Sequence, residues 1–245
     1  ACMRSRLMSA AAAAHIDLRK GHPRAANLPH AALAQACRRA AERLDAGSLP
    51  LNYAAPAGTP SFIGALAAFL GRLYGSAPPA ASTLLTTNGA SHGLEIACAA
   101  LASPGDVVLV ENPTYFLAAK IFADHGMRVL GLPTDEAGCC VETLGARLRD
   151  GSLPRPALLY LVPTHSNPAG ATLPADRRRT LVELAQQFKF TILSDDVYEG
   201  LDWSAADARP PGRLLTFDPA WADADAPDAP SGGGADPSAA PTAEA

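Results

Sequence analysis

No stretch of the 245 residues approaches the roughly 18 consecutive apolar, uncharged positions that a membrane-crossing helix needs, so a membrane is not an expected partner. A strong excess of one charge is also missing. With 20 Lys and Arg against 24 Asp and Glu, the formal net charge is −4, which makes no case for nucleic acid or an anionic membrane as a partner. Metal-ligand spacing is lacking too. The five cysteines (Cys2, Cys37, Cys98, Cys139, Cys140) form no C-x-x-C and no His/Cys cluster, and neighbours such as Cys139 and Cys140 make poor disulfide geometry. Free thiols in a reducing compartment are expected, and the cytoplasm is the expected location. Arg4 and Arg6 before an alanine run leave organelle targeting open, although a solvated arm is the favoured reading. Lysine is scarce: only Lys20, Lys120 and Lys189 occur.

What is present reads as globular, with 48% hydrophobic and 18% charged residues. Residues 1–50 read as an N-terminal arm and one helix, Ala31 to Ala46, with Leu33, Cys37, Ala40 and Leu44 on one face and Gly47 as its stop. Residues 51–218 read as a larger domain. A loop from Leu51 to Thr59 leads to a helix capped by Ser61 and ended at Tyr74 by Gly75. Short apolar runs then alternate with helical segments. The strand candidates are Leu84–Thr87, Val107–Glu111, Arg128–Leu132, Leu158–Val162 and Phe190–Ser194. The helix candidates are Ser91–Ala102, Tyr115–His125, Val141–Arg149 and Pro174–Phe188. This alternation predicts an α/β fold, a mostly parallel sheet covered on both faces in three αβα layers. Residues 219–245 hold five carboxylates and no Lys or Arg, which leaves the remainder at about +1. Their Ala/Pro/Gly/Asp composition predicts a disordered tail.

In open α/β sheets a ligand sits beyond the carboxyl ends of the strands, so the segments just after each strand carry the chemistry. After the first candidate strand, Gly89, Ala90 and Ser91 open a helix with small side chains, where unpaired N–H groups and the helix dipole favour a phosphate. The same residues also suit a plain strand-to-helix turn. Tyr115 follows Asn112-Pro113-Thr114, and an aromatic there serves equally as core. Asn167 sits in a stiff loop with Pro163 and Pro168 and can both donate and accept. Asp195 comes straight off a strand, where a carboxylate is costly unless paired and would suit a protonated ring nitrogen. Tyr198, three residues on, reaches toward the same place. Asp196 also reads as a helix cap.

Together these segments resemble the class I/II aminotransferases, pyridoxal-phosphate (PLP) enzymes of fold type I. The resemblance runs from about Ile16 to Asp218 and rests on Gly89-Ala90-Ser91, Asn112-Pro113-Thr114-Tyr115, Asn167-Pro168-Ala169-Gly170 and Asp195 with Tyr198, in the family order. Asn52-Tyr53 followed by Gly58 resembles the family's cofactor-contacting tyrosine loop. The resemblance implies PLP as cofactor. Gly89, Ala90 and Ser91 would hold its phosphate, Tyr115 its pyridine face, Asn167 and Tyr198 its ring oxygen, and Asp195 its ring nitrogen. Tyr53 would reach the phosphate of a neighbouring subunit in a homodimer, and Gly21 resembles a substrate-side glycine. The implied reaction moves an amino group from an amino acid to a 2-oxo acid.

The sequence departs from the family at one chemically decisive place. The Schiff-base lysine is expected roughly 35 residues past Asp195, where the Ala/Pro/Gly tail has no lysine. The carboxylate-clamping arginine further on has no counterpart either. The expectation is therefore a large domain incomplete at its C-terminus, with no catalytic residue of its own and inactive by itself. The alternatives are a non-catalytic PLP-binding module or a dimer-partner module.

Overall fold

The computed structural model describes residue 21 and residues 23–45, 52–201 and 212–219. The Arg4/Arg6 segment, Lys20, the Gly47 helix stop, Pro210-Pro211 and the tail beyond Pro219 lie outside the described residues. Contacts divide the chain into two units, Ala1–Tyr53 and Ala54–Ala245. Among the described residues no helix is long and apolar enough to cross a membrane.

The first unit holds one helix, α1 (His30–Asp45), within a residue of the expected span and with no buried residue. Its apolar face is open, Leu33 being 63% exposed.

In the second unit the first helix is α2 (Pro60–Tyr74). Ser61 does not cap it. Thr59 is the N-cap residue and Pro60 takes the first helical position, where proline's missing N–H costs nothing and its φ is already helical. Gly75 ends α2 at φ 60°, the left-handed geometry expected of a glycine stop.

The remaining helices are α3 (Gly89–Leu101), α4 (Phe116–Asp124), α5 (Val141–Arg149) and α6 (Ala175–Phe188). The strands are β1 (Val107–Asn112), β2 (Arg128–Asp135), β3 (Gly138–Cys139), β4 (Leu158–Leu161) and β5 (Thr191–Ser194). The sheet order is β3-β2-β1-β4-β5, parallel except for the β2–β3 hairpin, which the sequence pattern missed. That hairpin turns through Glu136 and Ala137 into Gly138, whose φ of 90° few other residues adopt, and Asp135 Oδ1 accepts the Ala137 N–H.

Residues on β1 and β4 are buried on both sides, as a doubly covered sheet requires. Val107, Leu109, Leu159 and Leu161 pack with α5 and α6 in one core. Val108, Val110, Leu158 and Tyr160 pack with Cys98 of α3 and Phe122 of α4 in the other. The αβα layering expected from the sequence is present.

Leu84–Thr87 is not a strand. Its described backbone bonds run from Leu84 N to Ala81 O and from Thr86 N to Ala57 O, no neighbouring strand among the described residues supplies a ladder, and Leu85 is exposed. Apolar character makes a strand only when another strand pairs with it. Gly58 explains part of this contact. At φ 122° it lets the chain pass against Thr86, and a Cβ there would meet Thr86 Oγ1 at 2.7 Å. Gly58→Ala is expected to cost about 1–3 kcal/mol through backbone strain and crowding, read as a lower urea midpoint with an unchanged slope.

Candidate functional site

Three strand ends and one helix start converge at the carboxyl edge of the sheet. They enclose a cavity of about 310 Å³ lined by Asn88, Gly89, Ala90, Ser91, Leu94, Tyr115, Val162, Asn167, Asp195, Val197 and Tyr198. Seven of the nine residues singled out from the sequence therefore share one cavity: Gly89, Ala90, Ser91, Tyr115, Asn167, Asp195 and Tyr198. The other two, Gly21 and Tyr53, belong to the first unit, where both are exposed.

Local chemistry sets each wall. Asn88, the N-cap residue of α3, makes no side-chain bond to the helix, and its own N–H donates to His92 Nδ1 at 3.1 Å. The first N–H groups of a helix have no intrahelical partner, and here they adjoin the cavity. Gly89, at φ 82°, leaves open space where a side chain would stand. Tyr115 precedes α4 and packs edge-on against Phe116 at 5.6 Å.

The loop carrying Asn167 is tied at its base by Leu173 N to Pro163 O (2.8 Å) and Ser166 N to Ala171 O (2.8 Å). Beneath it lies a buried polar knot that the sequence pattern did not reveal. Arg178 of α6 is 1% exposed and donates to the carbonyls of Leu173, Pro163 and Gly212 and to Thr164 Oγ1. Thr164 in turn donates to Glu199 Oε2 at 2.6 Å, and Glu199 Oε1 lies 3.6 Å from Arg178 Nη1. Glu199 follows Tyr198, and Thr164 lies three residues before Asn167. One guanidinium thus braces two cavity walls from behind.

Glu111, at the end of β1, is a second buried carboxyl. The β1–β4 pairing stops at Val110 and Tyr160, and beyond it Glu111 Oε2 accepts the N–H of Val162, a cavity-lining residue. Burial pushes the Glu111 pKa up to about 7, against the smaller pull of that N–H bond.

Asp195 takes its position from β5: its N–H bonds Leu161 O, and its Oδ2 accepts the Tyr160 hydroxyl at 2.8 Å. Asp196 does not cap a helix through its side chain; it accepts the Ser194 hydroxyl at 2.5 Å instead. Burial raises its pKa.

Neither described lysine lines the cavity. Lys120 is exposed on α4 and paired with Asp124 at 2.8 Å, and Lys189 ends α6 before β5 begins. Among the described residues no His, Cys, Asp and Glu cluster forms a metal site.

Residues 15–222 match the pattern of the family "Aminotransferase class I and II". The chain belongs to the class I and II aminotransferase family. Aromatic-amino-acid aminotransferase 1 of Thermococcus litoralis is 33% identical over 131 residues, covering 52% of this chain and 31% of that protein. The uncharacterised HTH-type transcriptional regulator YisV of Bacillus subtilis is 30% identical over 179 residues, covering 72% of this chain and 35% of that protein. Among solved structures, the kynurenine aminotransferase of Pyrococcus horikoshii in complex with PMP superposes with a TM-score of 0.72 at 28% identity, covering 82% of this chain and 48% of that one. This aminotransferase-family chain thus spans about a third of those curated relatives and about half of that solved structure. Fold type I is shared with such structures.

Proposed function

We propose that this chain forms the PLP-binding wall of an aminotransferase that moves an amino group from an amino acid to a 2-oxo acid. The observation that carries the proposal is the meeting of Asp195, Tyr115, Asn167, Tyr198 and the start of α3 around one cavity. The donor set suits a phosphorylated pyridine. The α3 N-terminus offers N–H groups and the positive end of the helix dipole to the phosphate, and Gly89, Ala90 and Ser91 allow close approach. Asp195 accepts a charge-assisted bond and holds the proton on the ring nitrogen. Tyr115 offers an aromatic face to the ring. Asn167 and Tyr198 donate to the ring oxygen, and Leu94 and Val162 keep water from that side. When bound, PLP supplies an electron sink for the amino-acid carbanion.

Two further roles rest on the family resemblance. Tyr53, wholly exposed in the first unit, would reach the phosphate of a second subunit in a homodimer, and Gly21 would lie on the substrate side. The cytoplasm is the proposed location, consistent with free Cys37, Cys98, Cys139 and Cys140.

Calorimetric titration with pyridoxamine 5'-phosphate (PMP) tests the proposal, since PMP has no aldehyde to react with surface lysines. Asp195→Ala is expected to weaken PMP binding at least about tenfold, the usual scale for losing a hydrogen bond to a charged group. Ser91→Asp, which sets a carboxylate against the phosphate, is expected to weaken it by a similar factor. Wild-type affinity in both variants would put the cofactor elsewhere.

A second reading, a non-catalytic PLP-binding module, is favoured by the placement of Lys120 and Lys189 away from the cavity. It predicts that borohydride treatment of the 245-residue chain with PLP traps no stoichiometric adduct on a single lysine. One adduct per chain at one site would overturn it.

A further inference from the structure

The carboxylate of Asp195 is held by a residue outside the cavity lining. Tyr160 sits on β4 with no exposed surface, and its ring packs edge-on against Phe122 of α4, centroids 5.4 Å apart and planes at 64°. Phe122 is itself fully buried, so the Tyr160 ring has no room to swing. Its hydroxyl donates to Asp195 Oδ2 at 2.8 Å. Among the described residues no other side chain bonds Asp195, so Oδ1 is the carboxylate oxygen left for a ligand.

We propose that Tyr160 is a positioning residue: by fixing Asp195 Oδ2 it sets the carboxylate plane and presents Oδ1 to the ring nitrogen of a bound pyridine phosphate. The proposal rests on the reading of Asp195 as the ring-nitrogen partner. Three features make Tyr160 suited to the role. Its register opposite Leu193 puts it beside the strand whose end carries Asp195. The Phe122 contact supplies rigidity from the core that also packs against Tyr115 and Tyr198. Burial, and then the charge of Asp195, raise the Tyr160 pKa, so the hydroxyl keeps its proton and always donates.

The test compares two ligands on the full chain by calorimetry: PMP, and the PMP analogue carrying carbon in place of the ring nitrogen. Wild type is expected to prefer PMP. Tyr160→Phe keeps the ring against Phe122 and removes only the hydroxyl. It is expected to lower the preference for PMP about fivefold, the scale of one hydrogen bond, while leaving analogue affinity unchanged. Equal losses for both ligands would mean a merely structural role and overturn the proposal, as would an unchanged preference. If a thermal melt shows that Tyr160→Phe does not fold, Tyr160→His decides, because its ring N–H still donates. Retention of most of the preference supports the proposal, and loss of it despite the donor overturns it. Asp195→Asn separates the two levels of inference. If wild type shows no preference for PMP, or Asp195→Asn retains it, the ring-nitrogen reading fails and this proposal with it. If Asp195→Asn loses the preference and Tyr160→Phe does not, only the role of Tyr160 falls.

Discussion

Arg178→Ala is expected to destabilise the chain by about 3–5 kcal/mol, the scale for removing one partner of a buried ion pair. The loss has three sources. Glu199, fully buried, would be left with the Thr164 hydroxyl and the charge of Arg213 in place of its guanidinium partner. The carbonyls of Leu173, Pro163 and Gly212 would lose a shared donor. A cavity would open beneath the Asn167 loop. Burial lowers the Arg178 pKa and raises that of Glu199, so desolvation outweighs the attraction between them on both sides of the pair. It follows that the pair adds little net stability over an apolar substitute, whereas half of it is worse than none. Arg178→Met combined with Glu199→Leu should therefore recover part of what Arg178→Ala loses. Urea unfolding followed by circular dichroism reads both. A loss below about 1 kcal/mol in Arg178→Ala would show that the knot is not structural.

The second large effect is a pH dependence set by Glu111. Its folded pKa of about 7 stands above the ordinary 4.5, so between those values the folded chain binds a proton that the unfolded chain releases. The favourable contribution is complete below pH 4.5 and is lost as pH rises through about 7. At 4% exposure the group is little screened by solvent, and the full span corresponds to about 3 kcal/mol. Its neighbour Cys139 does not blur the window, because burial pushes that thiol up to about 12. Glu111→Gln keeps an oxygen for the Val162 N–H and removes the titration. The stability difference between wild type and Glu111→Gln, measured from pH 4 to pH 8, should shift against wild type as pH rises. A flat difference would mean that Glu111 titrates alike in the folded and unfolded chain. Because Glu111 holds Val162 in the cavity wall, PMP affinity in wild type should change across the same window by more than it does in Glu111→Gln, where the ligand's own phosphate still titrates.

How much of the site was legible depends on what each residue does. Gly89, Ala90, Ser91, Tyr115, Asn167, Asp195 and Tyr198 were readable because each is chemically unusual for its place: small residues at a helix start, an amide between prolines, an acid leaving an apolar run; Tyr115, Asn167, Asp195 and Tyr198 also follow strands, whereas the Gly89 turn follows an unpaired extended segment. Tyr160 was not, since within Leu158–Val162 it reads as one more core residue, and its hydroxyl partner lies 35 positions away. Nor was Arg178. In Arg177-Arg178-Arg179 nothing local says which arginine turns inward, and the structure sends the three to different ends. Arg177 clamps Asp135 through two bonds of 2.7 Å, Arg178 is buried, and Arg179 lies over the Phe217 ring at 5.4 Å.

The order of β1, β2, β4 and β5 among helices α3 to α6, the doubly covered character of β1 and β4, and the chemistry available at the strand ends were written in the linear pattern, because periodicity, capping and side-chain type act over a few residues. Which strands pair, why Leu84–Thr87 stays unpaired, and which polar side chains brace the cavity from behind were decided only by tertiary structure. Those outcomes depend on partners far along the chain, and a buried charge or hydroxyl is tolerated only where folding brings its partner within hydrogen-bonding distance.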